Sequence, residues 1–190
     1  MKISEVKNVL RVGRIVLGTK PTRSKKYVLY NTGLCLDYDV NFPKSLKRKK
    51  LSIVYLFVVN GEIRKIGQTS GVSGISGCMG FYTKAGMDDP GFNRFAINKL
   101  FREELDKGSS IEVYMMYEEP ITAPVKGLFS SEVADVMISA KAMEDLCIRD
   151  FVSVENCHPM WNFQESGIPL PSYIHTSFGD YKTKRGEDRK

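Results

Sequence analysis

An almost uninterrupted apolar run over residues 51–59 is followed by Asn60-Gly61 and then by a segment in which polar residues return. Asn-Gly between two strand-like segments is a strong signal for a β-hairpin. The pattern therefore predicts a hairpin over residues 51–69. Tyr55 places a hydroxyl group inside the first predicted strand, and Lys65 places a charge in the second.

Two loop lengths fit this hairpin, and they place Tyr55 and Lys65 differently. A two-residue loop, Asn60-Gly61, sets Tyr55 opposite Ile66 and leaves Lys65 on the other face. A three-residue loop that includes Val59 gives Gly61 the left-handed position of a bulge and sets Tyr55 directly opposite Lys65. Asn-Gly suits both loops, so the pattern alone does not choose between them.

After the hairpin the pattern predicts a connection followed by alternating helices and strands. Residues 70–91 are punctuated by glycines and predict a long loop. Apolar residues at helical spacing predict a helix over 92–106, and residues 111–117 alternate as a strand does. A pair of serines suited to an N-cap then predicts a helix over about 132–151.

The order strand, strand, helix, strand, helix predicts an α+β (α/β) fold whose compact core spans residues 51–165. Residues 1–50 form a basic N-terminal arm, made β-rich by two strand-like segments, 26–31 and 34–40. Residues 166–190 form a C-terminal tail, and its polar end, 181–190, is expected to be disordered.

The chain of 190 residues has 28 basic and 22 acidic side chains, which gives a formal net charge of +6. Much of the positive charge lies in three clusters: Lys20, Arg23, Lys25 and Lys26; Lys44, Lys47, Arg48, Lys49 and Lys50; Lys182, Lys184, Arg185, Arg189 and Lys190. Clustered basic charge favours a polyanionic partner such as nucleic acid. No apolar run is long enough for a membrane span or a signal peptide, so we expect a cytoplasmic protein without a membrane partner.

Cysteine and histidine spacing argues against two kinds of metal site. The four cysteines show no C-x-x-C spacing, and the two histidines are His158 and His175. A structural zinc site needs closely paired Cys and His ligands, and a histidine-based metal nuclease needs more histidine than this chain contains. We expect free thiols in a reducing compartment.

The hairpin also carries a short motif, I-V-Y ending at Tyr55, then nine intervening residues, then K-I-G starting at Lys65. This resembles the GIY-YIG nuclease superfamily, with Ile53 in place of the first glycine and Lys65 in place of the second tyrosine. The expected helix, strand and helix with Glu144 follow in the family's order. Pro159-Met160-Trp161-Asn162 then resembles the P-x-aromatic-N segment of the phage and restriction endonuclease branch.

The resemblance implies a small three-stranded antiparallel sheet flanked by helices and a Mg²⁺- or Mn²⁺-dependent endonuclease acting on double-stranded DNA. Glu144 would be the metal ligand, and Tyr55 would be the general base or would orient the attacking water. Lys65 opposite Tyr55 would favour the phenolate, so we expect the three-residue loop. Asn162 would fix the base or a backbone segment. Cutting two strands with one site per chain implies a homo-oligomer, most simply a dimer.

One family feature is missing, because the stretch after K-I-G contains no arginine to contact the scissile phosphate. Lys84 and Arg94 are the candidates to replace it, and we favour Arg94 because it opens the predicted helix 92–106. If neither serves, the chain would be a non-catalytic nucleic-acid-binding module on the same scaffold. We expect further DNA contacts from basic and polar residues near the core: Lys47, Arg48, Lys49, Lys50, Gln68 and Lys84.

Overall fold

A computed structural model of the chain describes residues 1–18, 33–84, 91–167 and 169–187. The strand expected at 26–31, the basic cluster at 20–26 and the last three residues lie outside the described residues. No helix in the described ranges is both long enough and apolar enough to span a bilayer.

The main sheet has five antiparallel strands in the order β2-β1-β5-β3-β4. Their bounds are β1 Leu10–Leu17, β2 Leu34–Tyr38, β3 Ser52–Val59, β4 Glu62–Thr69 and β5 Ile111–Glu118. The expectation of a three-stranded sheet is therefore wrong. The strands of the N-terminal arm continue the core sheet because β1 pairs with β5 and buries Val12 and Ile15 in the same core.

Helices lie on both sides of this sheet, and a separate hairpin follows it. The helices are α1 Gly74–Thr83, α2 Phe92–Asp106, α3 Ala140–Glu155, α4 Phe163–Ser166 and α5 Ser172–Glu187. Short 3-10 turns occupy Ile3–Glu5 and Lys44–Leu46. The second, two-stranded sheet pairs β6 Ile121–Lys126 with β7 Ser131–Val136.

Two predictions about these elements are wrong. The glycine-rich stretch at 70–91 was expected to be a loop, but much of it is helix α1. The helix expected from about residue 132 begins at Ala140, because Ser139 supplies the N-cap by accepting a hydrogen bond from Ala142 N at 3.2 Å. The serines proposed as N-caps instead lie at the end of the β6–β7 turn and at the start of β7.

Strand β3 is buried along its whole length because a core lies on each of its faces. Tyr55 and Phe57 point to the face covered by α1 and α2, and Val54 and Leu56 point to the face covered by α3. This arrangement explains the uninterrupted apolar run, since alternation disappears when both faces of a strand are buried.

The C-terminal tail is helical as far as Glu187, whereas the polar composition of 181–190 predicted disorder. Ile174 and Tyr181 of α5 are buried, and aromatic rings of α5 pack on Phe92 and Phe95 of α2. The tail therefore covers the outer side of α2, which contributes residues to the site described next.

Candidate active site

The turn of the β3–β4 hairpin is the two-residue form, so the expected three-residue loop is wrong. Val59 pairs with Glu62, and Asn60 and Gly61 both have positive φ, at 49° and 84°. Two consecutive positive φ values are the signature of a type I′ turn. In an undisturbed ladder this turn would place Tyr55 and Lys65 on opposite faces of the sheet.

A β-bulge at Arg64 reverses that consequence. The register shifts between Phe57 and Val58, and Arg64 has no Cα partner on β3. From there to the end of the ladder Phe57 pairs with Lys65 and Tyr55 with Gly67. One extra residue in β4 reverses the face to which each following side chain points. Tyr55 and Lys65 therefore lie on the same face of the sheet as diagonal neighbours.

These side chains meet at a cavity of about 350 Å³ beside β4, the edge strand of the sheet. Of the residues predicted to form the site, five line it: Tyr55, Lys65, Gln68, Arg94 and Glu144. They come from β3, β4, α2 and α3, so the cavity gathers groups that are far apart in the sequence. The remaining lining residues are Gly67, Tyr82, Asn93, Ile97, Lys141, Trp161, Phe163 and Gln164.

Tyr55 and Tyr82 form a phenol pair at the inner wall of the cavity. Their hydroxyl oxygens are 2.6 Å apart, and their rings pack edge to face. Burial raises the pKa of Tyr55 well above 10 and raises the pKa of Tyr82 to about 12. The expectation of an easily formed Tyr55 phenolate is therefore wrong, because burial raises the pKa of both phenols and keeps them protonated at neutral pH.

Alkaline pH should destabilise the fold through this pair. A tyrosine with a higher pKa in the folded protein holds its proton more tightly when folded, so the free energy of unfolding falls as pH rises from about 10 through 12. Because the pKa of Tyr82 rises from 10 to about 12, the loss due to this residue is on the order of 3 kcal/mol. Urea unfolding across this range should show a smaller loss in Tyr82→Phe than in the wild type, and equal losses would contradict the assignment.

Gly67 is required by the position of the Tyr55 ring. A Cβ atom at Gly67 would lie within 2.8 Å of three Tyr55 atoms, Oη, Cζ and Cε2. Tyr55 is 4% exposed and cannot swing away without displacing the core around it.

Gly67→Ala is therefore expected to lower the free energy of unfolding by about 1–3 kcal/mol, as overpacked cores do. Gly80→Ala in α1 is the matched control, because a Cβ there meets no atom within 4 Å and alanine favours a helix by about 0.5–1 kcal/mol. Chemical denaturation of the two variants should move in opposite directions. A Gly67→Ala protein as stable as the wild type would show that Tyr55 does not lie over Gly67.

Glu144 presents a buried carboxylate to the cavity. The residue is 8% exposed, and its Oε2 accepts from Lys141 Nζ at 3.1 Å. Lys141 also donates to Asp145 Oδ1 at 2.6 Å. Among the cavity-lining residues of the described chain, Glu144 is the one carboxylate, and the described ranges contain no cluster of three or more Asp, Glu, His or Cys side chains suited to a metal ion.

Asn162 acts on the backbone of the edge strand. Its Oδ1 accepts from Ile66 N and its Nδ2 donates to Ile66 O, both at 2.9 Å, and the side chain is 1% exposed. Next to it Trp161 N donates to the carbonyl of the bulge residue Arg64 at 2.7 Å. The segment that resembles P-x-aromatic-N therefore holds β4 in its bulged register, between Lys65 and Gly67.

Arg94 and Lys84 have different surroundings. Arg94 lines the cavity, and its guanidinium lies over the Phe81 ring at 4.2 Å from the centroid. Burial raises the pKa of both Cys78 and Tyr82, and the positive charge of Arg94 makes that rise smaller. Lys84 is an exposed residue at the C-terminal end of α1 and is not part of the cavity wall.

The basic run at 47–50 lies away from the cavity wall. Lys47 Nζ stacks 3.7 Å from the Tyr38 ring centroid, and Lys49 pairs with Glu119 at 2.7 Å. Arg48 and Lys50 are exposed. The backbone of this run packs on the start of α1, where Lys47 O accepts from Ser76 N at 2.9 Å.

Tyr82 is the main residue that sequence reasoning missed. It lies in the glycine-rich stretch that predicted a loop, yet Ile75, Met79 and Tyr82 are spaced four and three residues apart. That spacing is helical, and it is the signal that could have placed Tyr82 on the inner face of α1. Lys141 was also missed, although it lies three residues before Glu144 on α3, a spacing that brings two helical side chains side by side.

Neither a protein-family model nor a curated protein sequence matches this chain. The solved structures that match this chain include the following two. A mutant of EndoII from bacteriophage T4 matches with a TM-score of 0.50 at 16% identity, over 85% of this chain and 98% of EndoII. Restriction endonuclease HPY188I in complex with product DNA matches with a TM-score of 0.42 at 15% identity, over 84% of each chain. The α+β architecture of this chain is therefore also found in the EndoII structure.

Proposed function

We propose that this protein is a Mg²⁺-dependent DNA endonuclease of GIY-YIG type that hydrolyses phosphodiester bonds in double-stranded DNA, in a restriction-type or phage-type role. One observation carries the proposal: a single cavity gathers Tyr55, Lys65, Arg94 and Glu144. Together they offer a hydroxyl group, two cations and a carboxylate, which are the groups that phosphodiester hydrolysis needs. The fold shared with the DNA endonuclease EndoII of bacteriophage T4 supports it.

Glu144 is the residue that would hold the metal ion. Mg²⁺ takes oxygen ligands, keeps several waters and is often bound by only one or two carboxylates, so a single glutamate at an open cavity fits it. A carboxylate with so little exposure also needs a positive partner, which Lys141 supplies. The bound ion would polarise a phosphate oxygen, and Mn²⁺ would serve in the same way.

The other side chains would bind and orient the DNA phosphate. Lys65 and Arg94 carry positive charge to the cavity that holds Tyr55 and would neutralise the scissile phosphate. Tyr55 is protonated at neutral pH, so its hydroxyl would orient the attacking water rather than remove a proton from it. Asn162 would act indirectly, by fixing the backbone between Lys65 and Gly67. Gln68 lines the same cavity and would contact the DNA beside the scissile phosphate.

The described residues of each chain form one such cavity, whereas cutting a duplex requires attack on two strands. We therefore propose that the enzyme works as a homo-oligomer, with a two-fold dimer as the simplest form. The exposed residues Arg48, Lys50 and Lys84 would add phosphate contacts outside the cavity and would make binding dependent on salt.

The proposal is tested by incubating the purified protein with unmethylated phage DNA and Mg²⁺, with EDTA as the control. We expect cleavage only with the metal ion, and discrete bands would indicate a sequence-specific enzyme. Salt-dependent binding without cleavage would instead select a non-catalytic DNA-binding module, which the absence of an arginine from the described helix α1 makes the second candidate.

A further inference from the structure

The aromatic ring of Phe81 lies just outside the proposed catalytic cavity. Phe81 and Tyr82 are neighbours near the C-terminal end of α1, but their surroundings differ. Tyr82 lines the cavity and its hydroxyl group meets that of Tyr55, whereas Phe81 is 56% exposed and is not part of the cavity wall. Phe81 therefore contributes little to the core, and its role depends on what its ring contacts.

One face of this ring is covered by the guanidinium group of Arg94. Cζ of Arg94 lies 4.2 Å from the centroid of the Phe81 ring, a distance at which a cation is attracted to the face of an aromatic ring. A guanidinium group is planar, and its N–H donors point outward in that plane. An arginine that stacks on a ring can therefore still bind a phosphate through its edge.

The backbone beneath the stacked pair is fixed. Asn98 is 4% exposed, and its Nδ2 donates a hydrogen bond to Tyr82 O, which joins the end of α1 to the second turn of α2. At the start of α2, Phe92 stacks on His175 of α5 with the ring centroids 4.6 Å apart. The two stacked side chains are thus carried by segments that hold each other in place.

The charge of Arg94 acts on the cavity. Arg94 is one of the lining residues, and its positive charge reaches the buried side chains of Tyr82 and Cys78, where it opposes the rise in pKa that burial causes. No carboxylate among the described residues forms an ion pair with Arg94. Its guanidinium group can thus offer its donors to an anion that enters the cavity.

We infer that Phe81 is a positioning residue, whose ring holds the guanidinium group of Arg94 ready for the scissile phosphate. This inference rests on the proposed function and extends it to a residue outside the cavity. Helix α1 contains no arginine, so it supplies a platform for the arginine of α2 instead of the cation itself. Without the ring Arg94 spends less time in the binding position, and the apparent affinity for DNA falls by the same factor.

The test measures the affinity of the protein for a labelled duplex in EDTA at low salt, so that no cleavage is needed. Phe81→Leu removes the aromatic face, Phe81→Tyr keeps it, and Arg94→Gln removes the charge. We expect Arg94→Gln to weaken binding roughly tenfold, as loss of one phosphate contact does at low salt. Phe81→Leu should weaken it about two- to fivefold, the factor that an exposed cation–π contact is worth, and Phe81→Tyr should bind like the wild type.

Double variants show whether Phe81 acts through Arg94. Phe81→Leu should cause no further loss when it is combined with Arg94→Gln, but should cause its full loss when it is combined with Lys84→Gln, the matched control. Lys84 is an exposed cation at the end of α1 that does not line the cavity. A merely structural role of the ring would give the same loss in every background.

Equal losses from Phe81→Leu in all three backgrounds, or wild-type affinity of the Phe81→Leu protein, would overturn the inference. The expected pattern of affinities in a protein that does not cut DNA would support the inference while the proposed endonuclease activity fails. Failure of the inference is therefore distinct from failure of the proposed function.

Discussion

Replacing Glu144 with glutamine is expected to slow DNA cleavage by roughly 1,000-fold or more while leaving DNA binding largely intact. Glutamine keeps the shape of the side chain but removes the charge that would hold Mg²⁺. A bound metal ion supplies several kcal/mol of charge stabilisation in phosphoryl chemistry, and each 1.36 kcal/mol is a factor of about ten in rate. Cleavage of a labelled duplex, together with Mn²⁺ binding followed by electron paramagnetic resonance, measures both consequences.

Asp145→Asn is the matched control for this substitution. Asp145 is the next residue on α3 and also receives a hydrogen bond from Lys141, but its side chain is exposed and does not line the cavity. Its loss should leave cleavage and Mn²⁺ binding close to those of the wild type. Equal loss of activity in both variants would point to the Lys141 network rather than to Glu144 as a metal ligand.

Tyr55→Phe is expected to reduce cleavage by roughly 100- to 1,000-fold, the range seen when one positioned proton donor or acceptor is removed. The phenyl ring would retain its packing on Phe57 and Tyr82, whose centroids lie 5.2 and 5.8 Å away, so the fold should survive. Single-turnover cleavage with saturating protein isolates the chemical step from DNA binding.

Tyr82→Phe separates the role of the Tyr55 hydroxyl from that of the phenol pair. It removes the same 2.6 Å hydrogen bond but leaves Tyr55 Oη in the cavity. We therefore expect a smaller loss of rate than in Tyr55→Phe. If the two variants were equally slow, the hydrogen-bonded pair rather than Tyr55 alone would be the functional unit.

The sequence predicted the hairpin and the shared face of Tyr55 and Lys65, but for an incorrect reason. Asn60-Gly61 forms the two-residue turn, and a bulge at Arg64 then brings Tyr55 and Lys65 back to the same face. Nothing in the local sequence predicts this bulge. The bulge depends on a distant segment, because its carbonyl is bonded by Trp161 and the next residues are held by Asn162. A contact between residues almost 100 positions apart cannot be read from the pattern of a hairpin.

Local pattern also failed where glycine and serine suggested the wrong element. The glycines of residues 70–91 predict a loop, although Gly74 and Gly77 lie in α1 at positions where a side chain would collide with neighbouring atoms. Gly74 has a φ of +54° and faces the backbone of Lys49, whereas Gly80 simply occupies a helix with open space around it. Composition cannot separate these uses, because each depends on which atoms pack nearby.

The cavity was only partly predictable for a similar reason. Glu144 was proposed as a metal ligand by resemblance, and its low exposure follows from a helix whose buried positions include Ile148 and Phe151. Arg94 was proposed from its place at the start of a helix, and that helix does bring it to the cavity. The pKa of Tyr55 was expected to fall beside Lys65, but burial of the phenol raises it instead.

Side-by-side cleavage of one end-labelled duplex by four proteins tests the central claim most directly. The wild type and Asp145→Asn should cut it with Mg²⁺ and not with EDTA, whereas Glu144→Gln and Tyr55→Phe should bind it with similar affinity and leave it almost intact. Cleavage by Glu144→Gln at the wild-type rate, or binding by all four proteins with no Mg²⁺-dependent cleavage by any, would contradict a phosphodiesterase site at this cavity.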